Sequence, residues 1–293
     1  MAIKIQKQKS KSLEILFHIL FFLSAVVSLL SVIIIAIFIF ISGIPALTEI
    51  GLFNFISGID WSPTSGNYGI LPMIVGSVGI TVGATVLGVL IGVFTAVYLA
   101  EIASKRISSL LRPAINLLSG IPSVVFGFFG LIVIVPIIRN NFGGAGQSLL
   151  AGIIVLAIMI LPTIISITET SIRSVPREFK EGSLALGATH IETIFKVMVP
   201  AAKSGIMTGI ILGIGRAIGE TMAVILVTGN SVLMPSSITD PIRTLTANIA
   251  LEMGYSSGLH QNALFATGII LFLFIMILNI ILNVFIIRKA GAN

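Results

Sequence analysis

The sequence of 293 residues contains no cysteine. That absence excludes a disulfide framework and thiol catalysis. Charge is also scarce, because 10% of the residues are charged, whereas soluble domains carry about 25%. The chain lacks the G-x-x-x-x-G-K-S/T pattern with which P-loop proteins hold nucleotide phosphates. We therefore expect no ATP hydrolysis by this chain, and nothing in its residues indicates a cofactor or a metal ion.

Long apolar runs are what the sequence has in abundance: 56% of the residues are hydrophobic and the mean hydropathy is +1.13. A helix of about 20 apolar residues crosses a hydrocarbon core of about 30 Å. Six runs are long enough, at residues 15–42, 72–99, 114–138, 148–169, 204–228 and 263–287. They predict an all-α integral membrane protein with six transmembrane helices. The first run exceeds a signal-peptide core of about 7–15 residues, so no cleavable signal peptide is expected.

The basic residues predict the orientation of these six helices, because cytoplasmic loops carry an excess of Lys and Arg. Of the 17 basic residues, fourteen lie on one side of the predicted membrane. They are Lys4, Lys7, Lys9, Lys11, Lys105, Arg106, Arg112, Arg173, Arg177, Lys180, Lys196, Lys203, Arg288 and Lys289. Only Arg139 and Arg243 lie on the other side. Both termini are therefore predicted to be cytoplasmic.

A polar block from Glu181 to Pro200 separates two apolar runs and predicts two short cytoplasmic helices. Gly187 suits the left-handed residue that ends a helix. Thr189 and Glu192 have the spacing of a capping box, which starts the second helix, and Pro200 is expected to close it. That helix carries an apolar stripe of Ile191, Ile194, Phe195 and Met198. The stripe packs against the bilayer or its own bundle, or it docks a soluble partner.

Arg216 and Glu220 are the one oppositely charged pair deep in a predicted span, the fifth. Each charge costs about 2.5–3.5 kcal/mol at the centre of a membrane helix, so contact with lipid is disfavoured. Their helical phase continues that of Gly205, Gly209 and Gly213. Since glycine lets helices approach closely, we expect the pair to face the interior of the bundle. Its i, i+4 spacing allows an intrahelical ion pair.

Two interpretations of this charged pair stay open. A static ion pair would pin two helices together. Alternatively, Arg216 meets an anion in transit, because a guanidinium presents donors that match phosphate geometry. Glu220 would then hold Arg216 whenever no anion is present, so that the buried charge is never unpaired.

The third predicted span opens with the sequence LSGIPS, residues 118–123. Its glycine and proline bend or break a membrane helix, which is tolerated where the freed backbone groups meet a cavity or a neighbour. A bend for packing and a role of Ser119 and Ser123 in a pathway fit equally well. In the second span, Gly88 and Gly92 form a G-x-x-x-G pattern, which predicts a close helix contact.

The two longer outer connections, residues 43–71 and 229–262, differ in character. The first is aromatic, with Phe53, Phe55, Trp61 and Tyr68. An interfacial aromatic belt is favoured over contact with an outside partner. The second is polar and is interpreted as a lid or a surface for a receptor. It contains His260, which alone makes no metal site and is expected to be solvated.

The polar block also resembles the EAA motif of ABC importer permeases: Glu-Ala-Ala, three residues, Gly, nine residues, Ile-x-Leu-Pro. Here the motif stands as EGS at 181–183, Gly187, and V-x-V-P at 197–200, with every spacing kept. In that family the loop is the seat of the ATP-hydrolysing subunit. The resemblance therefore implies a coupling role for Glu181, Gly187, Ile191, Ile194, Phe195 and Pro200.

Three further segments resemble permeases of phosphate ABC importers: GRAIGET at 215–221, GIPSVVFG at 120–127, and 61–77, where WSP precedes YGILP and GS. The last resembles the C-type permease (PstC) rather than its A-type partner. The resemblance implies an ABC type-1 (MetI-like) bundle. It divides the chain into 1–71 (tail, first helix and outer loop), 72–287 (transmembrane domain, with the EAA loop at 170–203) and a tail at 288–293. It also implies a phosphate pathway containing Arg216, Glu220, Ser119 and Ser123.

The same resemblance implies partners in a prokaryotic inner membrane: a second permease (PstA type), an ATPase homodimer (PstB type) and an extracytoplasmic phosphate-binding protein (PstS type). The A-type permease itself, or a permease for sulfate or molybdate, also fits. From the residues alone, an ion-coupled secondary transporter and a structural membrane scaffold stay open. Against ion coupling, Glu220 is matched by Arg216, whereas coupling usually needs a free carboxylate or a cation site.

Overall fold

The computed structural model describes the backbone of residues 2–290 and the side chains of residues 14 and 16–281. The N-terminal lysines and the basic residues of the predicted 288–293 tail have side chains outside this range. The helices are α1 Ala2–Ile50, α2 Leu52–Ser57, α3 Leu71–Val97, α4 Lys105–Gly120, α5 Ser123–Phe129, α6 Val135–Phe142, α7 Leu149–Arg173, α8 Arg177–Ala185, α9 His190–Thr193, α10 Val199–Ala201, α11 Lys203–Gly219, α12 Met222–Val227, α13 Leu245–Glu252 and α14 Gly258–Ala290. A two-stranded antiparallel hairpin joins β1 Trp61–Ser62 to β2 Asn67–Tyr68 around a 3₁₀ turn at Pro63–Ser65. Three π-helical segments, Tyr98–Ile102, Gly130–Ile134 and Ile194–Met198, extend or join helices.

Among the described residues, five helical stretches are long and apolar enough to cross a membrane. They are Leu16–Ile50, Leu71–Ile102, Ser123–Phe142, Leu149–Arg173 and Gly258–Ile281. A sixth candidate is the helix pair His190–Ala201 and Lys203–Gly219 (α11), which is long and apolar enough when taken as one span bent by 69°. The predicted all-α membrane bundle is therefore confirmed.

Two of the predicted spans are wrong in detail, because each is broken. The span at 114–138 begins inside α4 and is interrupted at Ile121 and Pro122, which have extended backbones. The span at 204–228 ends as a helix at Gly219 and restarts at Met222. The first break is explained by its sequence, since proline removes a backbone donor and disfavours helix in the residue before it.

Two prolines inside helical stretches follow π-helical turns. A proline ring clashes with the carbonyl four residues earlier, and proline has no N–H to donate. For Pro136 and Pro200 that carbonyl belongs to a π-helical segment, Gly130–Ile134 or Ile194–Met198. The wider turn accommodates the ring, so the helices continue to Phe142 and Ala201. The prediction that Pro200 closes its helix is thus wrong by one residue.

Helix α7 lies at the centre of the bundle, with α3 and α11 packed against it. Glycines make both contacts close. A Cβ added to Gly88 of α3 would lie 2.6 Å from the Ile160 side chain, and one added to Gly213 of α11 would lie 3.0 Å from that of Ile164. The close helix contact predicted from the G-x-x-x-G pattern is confirmed.

Three of the four aromatic residues in the connection at 43–71 pack inside the protein, which corrects the predicted interfacial belt. Phe55, Trp61 and Tyr68 are buried in one cluster with Met73 and Leu264. Residues that are distant in the sequence help to bury these side chains, so the local pattern of hydrophobic residues does not predict their burial. Phe53 differs, because it is 81% exposed.

Candidate functional site

The break in the fifth predicted span is organised by Glu220. Its backbone is extended (ψ 130°), so it ends α11. Its side-chain Oε1 accepts a hydrogen bond from the backbone N–H of Ala223, at 3.1 Å, and therefore caps α12. Its carbonyl oxygen accepts a hydrogen bond from the Thr246 hydroxyl at 3.1 Å. The acidic side chain that was expected to hold Arg216 thus satisfies a helix terminus.

Arg216 lies half-buried in the last turn of α11. Among the described residues it makes neither a hydrogen bond nor an ion pair, so the predicted intrahelical pair with Glu220 is wrong. The i, i+4 rule assumes a continuous helix, and this helix ends between the two charges. Arg216 lies beside Gly215 and Gly219, where an added Cβ would meet nothing within 4 Å. Gly213, one turn earlier, packs instead against Ile164 of α7, so Arg216 lies at the edge between the packed side of α11 and a side that is uncovered within this chain.

The two broken spans are neighbours. Gly127 of α5 approaches α12 so closely that an added Cβ would lie 2.7 Å from the Ala223 Cα. Leu118 and Ile121, at the first break, pack into the same apolar core as Ala217 of α11. The predicted pathway residues Ser119 and Ser123 flank this first break, as the structure places them on α4 and at the start of α5.

An ion-pair cluster near the C-terminal end of α7 was missed by the sequence analysis. Glu169 is 9% exposed. Its Oε1 accepts hydrogen bonds from the Arg112 guanidinium and from Arg173 Nε, the latter at 2.9 Å. The signal in the sequence was the i, i+4 spacing of Glu169 and Arg173 at the end of an apolar run. Both arginines had been interpreted as loop charges only.

The loop after α7 has the local structure that was predicted. Gly187 has a left-handed backbone (φ 88°) and separates α8 from α9. Thr189 and Glu192 form a reciprocal capping box. The Thr189 backbone N–H, Lys196 and the Thr189 hydroxyl stabilise the charged carboxylate and lower the pKa of Glu192 to about 2. These predictions are confirmed.

The apolar stripe of this loop is divided between two surfaces, so the prediction of one continuous stripe is wrong. Ile194 and Met198 are buried against the bundle. Ile191 and Phe195 are 55% and 47% exposed, and Leu186 is 91% exposed. The π-helical segment at Ile194–Met198 changes the angular spacing on which the stripe was based. Ile194 and Met198 therefore pack on the bundle, whereas Leu186, Ile191 and Phe195 present an apolar surface.

One ion pair and one hydrogen bond tie α8 and the end of α7 to the end of the second span. Lys180 of α8 donates to Glu101, at the end of the second span, at 2.6 Å. Arg173 donates to the Leu99 carbonyl oxygen at 2.7 Å. Glu181 is exposed on α8. A displacement of α8 would therefore act directly on the end of the second span.

In the segment before α14, Glu252 joins three side chains, one of which, Trp61, is 191 positions away in the sequence. It accepts hydrogen bonds from Trp61 Nε1 at 2.9 Å and from Arg243, and its Oε2 lies 2.8 Å from His260 Nε2. Burial raises the pKa of Glu252, but the hydrogen bonds from Trp61, His260 and Arg243 outweigh it and lower the pKa below its ordinary value. The expectation of a solvated His260 is wrong.

These features define a class: a polytopic helical membrane protein with two adjacent interrupted spans and a capped, apolar-faced loop. Residues 88–290 match the family described as the binding-protein-dependent transport system inner membrane component. The chain belongs to this family of membrane permease subunits.

Curated relatives agree with this assignment. Over 255 residues the chain is 42% identical to a probable ABC transporter permease protein, YqgH, of Bacillus subtilis, covering 83% of this chain and 82% of that protein. It is 34% identical to the phosphate transport system permease protein PstC of Pasteurella multocida, covering 75% of each. The PstC protein of Mesorhizobium japonicum is 33% identical, with 81% of this chain and 79% of that protein covered.

Solved structures share the fold. An inward-facing form of the MetNI methionine ABC transporter has a chain that matches with a TM-score of 0.63 and 18% identity, over 78% of this chain and 99% of that chain. A chain of an amino acid ABC transporter solved with histidines matches with a TM-score of 0.54 and 21% identity, over 75% of this chain and 92% of that chain. The predicted MetI-like permease bundle is confirmed.

Proposed function

We propose that the chain is a permease subunit of an ATP-binding-cassette importer for inorganic phosphate and forms half of the transmembrane pathway. The observation that carries this proposal is Arg216. It is a half-buried guanidinium without a partner among the described residues, at the end of an interrupted membrane helix and at the edge of a face that the chain leaves uncovered. An unpaired charge in a membrane helix is costly against lipid, so this position favours an anion or a second subunit beside Arg216. The names of the relatives support phosphate as that anion.

The uncovered face of α11 is where a second permease, of the A type, would complete the pathway. Arg216, Glu220, Ser119 and Ser123 would then line the space between the two subunits, all within a transmembrane domain at 72–287. Glu220 acts there by setting the end of α11 through its cap on α12. Phosphate would exchange its hydration for the donor fork of Arg216.

The distribution of basic residues supports an orientation with both termini and the EAA loop in the cytoplasm of a prokaryotic cell. ATP hydrolysis belongs in this proposal to a separate homodimer beneath the membrane, and an extracytoplasmic phosphate-binding protein delivers the substrate. The exposed apolar side chains Leu186, Ile191 and Phe195 supply a docking surface for the ATPase. Glu181, Gly187 and Pro200 shape the loop that carries this surface, and Lys180 transmits its movement to Glu101.

Substitution of Phe195 by alanine is expected to weaken ATPase capture about thirtyfold, the effect of losing an interface anchor worth about 2 kcal/mol. The thermal midpoint of the permease itself should change little, because Phe195 is exposed on the chain. The ATPase retained by the purified permease pair is measured by gel filtration at a series of concentrations.

Ile194→Ala provides the matched control on the same helix. Ile194 is fully buried against the bundle and also anchors the loop, so its truncation leaves a cavity and should lower the thermal midpoint of the permease. If Phe195→Ala lowers the thermal midpoint as much as Ile194→Ala does, or retains the ATPase as the wild type does, the docking surface is misassigned.

The proposed function is tested by reconstituting the permease pair with its ATPase and measuring hydrolysis with and without loaded binding protein. Stimulation by the phosphate-loaded form, and none by a sulfate-loaded one, supports a phosphate importer. Stimulation by a sulfate- or molybdate-binding protein instead would assign the permease to another oxyanion. Hydrolysis that is indifferent to every loaded binding protein would refute the coupling.

A further inference from the structure

Between α4 and α7 lies a polar cavity of about 260 Å³. Its polar lining consists of Arg112, Asn116, Ser166, Glu169, Thr170 and Arg173. Glu169 lies about 30 Å along α7 from Leu149, at 1.5 Å per residue. Because α7 begins on the outer side, the cavity lies near the cytoplasmic end of the bundle. It is large enough for one tetrahedral oxyanion with several waters, each of which occupies about 30 Å³.

Charge in this cavity is unbalanced. Arg112 Nε and Arg173 Nε lie 2.8 and 2.9 Å from Glu169 Oε1, so both guanidinium groups share one carboxylate oxygen. Two positive charges therefore face one negative charge, and the cluster keeps a net positive charge. Glu169 is nearly buried, whereas the side chains of Arg112 and Arg173 are 42% and 45% exposed. The nearly buried carboxylate of Glu169 holds both guanidinium groups by hydrogen bonds and so positions them at the cavity.

Several donors in this cavity are unused. Within the described side chains, the Nη1 nitrogens of Arg112 and Arg173, the Asn116 amide nitrogen and the Ser166 hydroxyl make no hydrogen bond. Arg173 is further held by the Leu99 carbonyl oxygen, which accepts from its Nη2. The site thus presents preoriented cationic and neutral donors, the combination that suits a phosphate or another oxyanion.

A row of polar side chains on α4 leads from the cavity toward the first break. Arg112, Asn116 and Ser119 follow one another at i, i+4 and i+7 on α4, so they lie on one face that leads to the break at Ile121 and Pro122. Asn116 and Ser119 are exposed on the chain. Polar side chains are disfavoured against lipid, so this row on α4, which is not one of the membrane-crossing stretches, is expected to face water or a partner subunit.

We propose that Arg112 and Arg173, positioned by Glu169, form an oxyanion-binding site on the cytoplasmic side of Arg216. This role in transport rests on the proposed function: the site is a second binding site, which phosphate occupies after it leaves Arg216. Glu169 offsets part of the positive charge, which keeps binding weak enough for release, as multi-site conduction requires. The same donors suit the phosphate of an acidic lipid headgroup, and the test separates these two sources.

The chain has no native cysteine, so Thr170→Cys places a single thiol of this subunit in the cavity. Thr170 lines the cavity and donates its hydroxyl to the Ser166 carbonyl oxygen, so its replacement removes none of the free donors. The whole complex is placed in nanodiscs of zwitterionic lipid, or of the same lipid with phosphatidylglycerol. The rate of labelling by a cationic methanethiosulfonate is then measured in inorganic phosphate or in chloride of equal ionic strength.

Phosphate is expected to slow labelling about tenfold in zwitterionic nanodiscs when its concentration is about ten times Kd. Adding Arg112→Gln should abolish this protection, whereas adding Arg216→Gln should preserve it. Ser109→Cys is the control, since Ser109 is exposed on α4 outside the cavity lining. Protection by phosphatidylglycerol that needs no phosphate, and disappears with Arg112→Gln, would identify a lipid headgroup as the oxyanion.

Labelling that responds to neither phosphate nor acidic lipid would overturn the site and leave a structural ion-pair cluster. Protection that persists with Arg112→Gln would do the same. The result is separable from the proposed function. Protection of the introduced thiol without ATPase stimulation by a loaded binding protein would retain the site and reject the importer, and the converse would reject the site alone.

Discussion

Replacement of Arg216 by alanine is expected to reduce phosphate uptake about a hundredfold or more, because two charge-assisted hydrogen bonds worth about 1.5–3 kcal/mol each would be lost. The complex should still assemble. Arg216 has no partner among the described residues, so its removal leaves no buried group unsatisfied in this part of the chain. Uptake of labelled phosphate into proteoliposomes and recovery of all subunits by gel filtration check both halves of this prediction.

Arg216→Lys keeps the charge but loses the planar fork, so we expect its uptake to lie between those of the wild type and of Arg216→Ala. Arg139→Ala serves as the control, because Arg139 is exposed at the end of α6 and donates only to the Ala145 carbonyl oxygen. Equal uptake by Arg216→Ala and the wild type would contradict the pathway. Loss of assembly would favour the static role, in which Arg216 joins two subunits.

Substitution of Glu252 by alanine is expected to destabilise the region around the hairpin and α13 by about 3–5 kcal/mol, the usual effect of breaking a buried ion pair. Arg243 would lose its carboxylate partner while its side chain stays 16% exposed. Trp61 and His260 would also lose their shared acceptor, Oε2. The thermal midpoint of the purified complex measures the loss, and Glu49→Ala, at an exposed position on the same side, is expected to change it little.

The pH dependence gives the same prediction a second readout. The pKa of Glu252 is lower in the folded protein than its ordinary value of 4.5. Its contribution to stability is therefore fully present above pH 4.5 and is lost as pH falls through the folded pKa. The wild type should lose thermal stability in this acidic range more steeply than Glu252→Gln. Parallel pH profiles for the two proteins would show that the carboxylate does not stabilise the cluster.

Local features of the EAA loop could be predicted from sequence because they depend on a few consecutive residues. Gly187 takes a left-handed backbone, and Thr189 and Glu192 cap the following helix, since both arrangements are closed within one turn. The prediction of a continuous apolar stripe was wrong because it assumed a regular α-helix across Ile194–Met198. The π-helical segment redirects Ile194 into the bundle and leaves Phe195 exposed, and only the packed structure shows which side each residue takes.

The charged residues were predicted less well, because an ion pair depends on where separate helices meet. Spacing suggested a pair between Arg216 and Glu220, but α11 ends between them and Glu220 caps the next helix. Other contacts of the buried carboxylates join residues that are distant in sequence. Arg112 and Glu169 are 57 positions apart, and Trp61 and Glu252 are 191 apart. The spacing of residues within one helix cannot predict contacts between residues so far apart in the sequence.

By itself, the sequence determined that the protein is a helical membrane bundle, where its apolar segments lie, and which short loop is polar and capped. Hydrophobicity and capping act over a few neighbouring residues, so residue order is sufficient for them. Only the tertiary structure decided where the spans break, which aromatic residues are buried, and which carboxylates form ion pairs with the arginines. Those outcomes follow from helix packing around α7 and from the requirement that each buried charge find a partner.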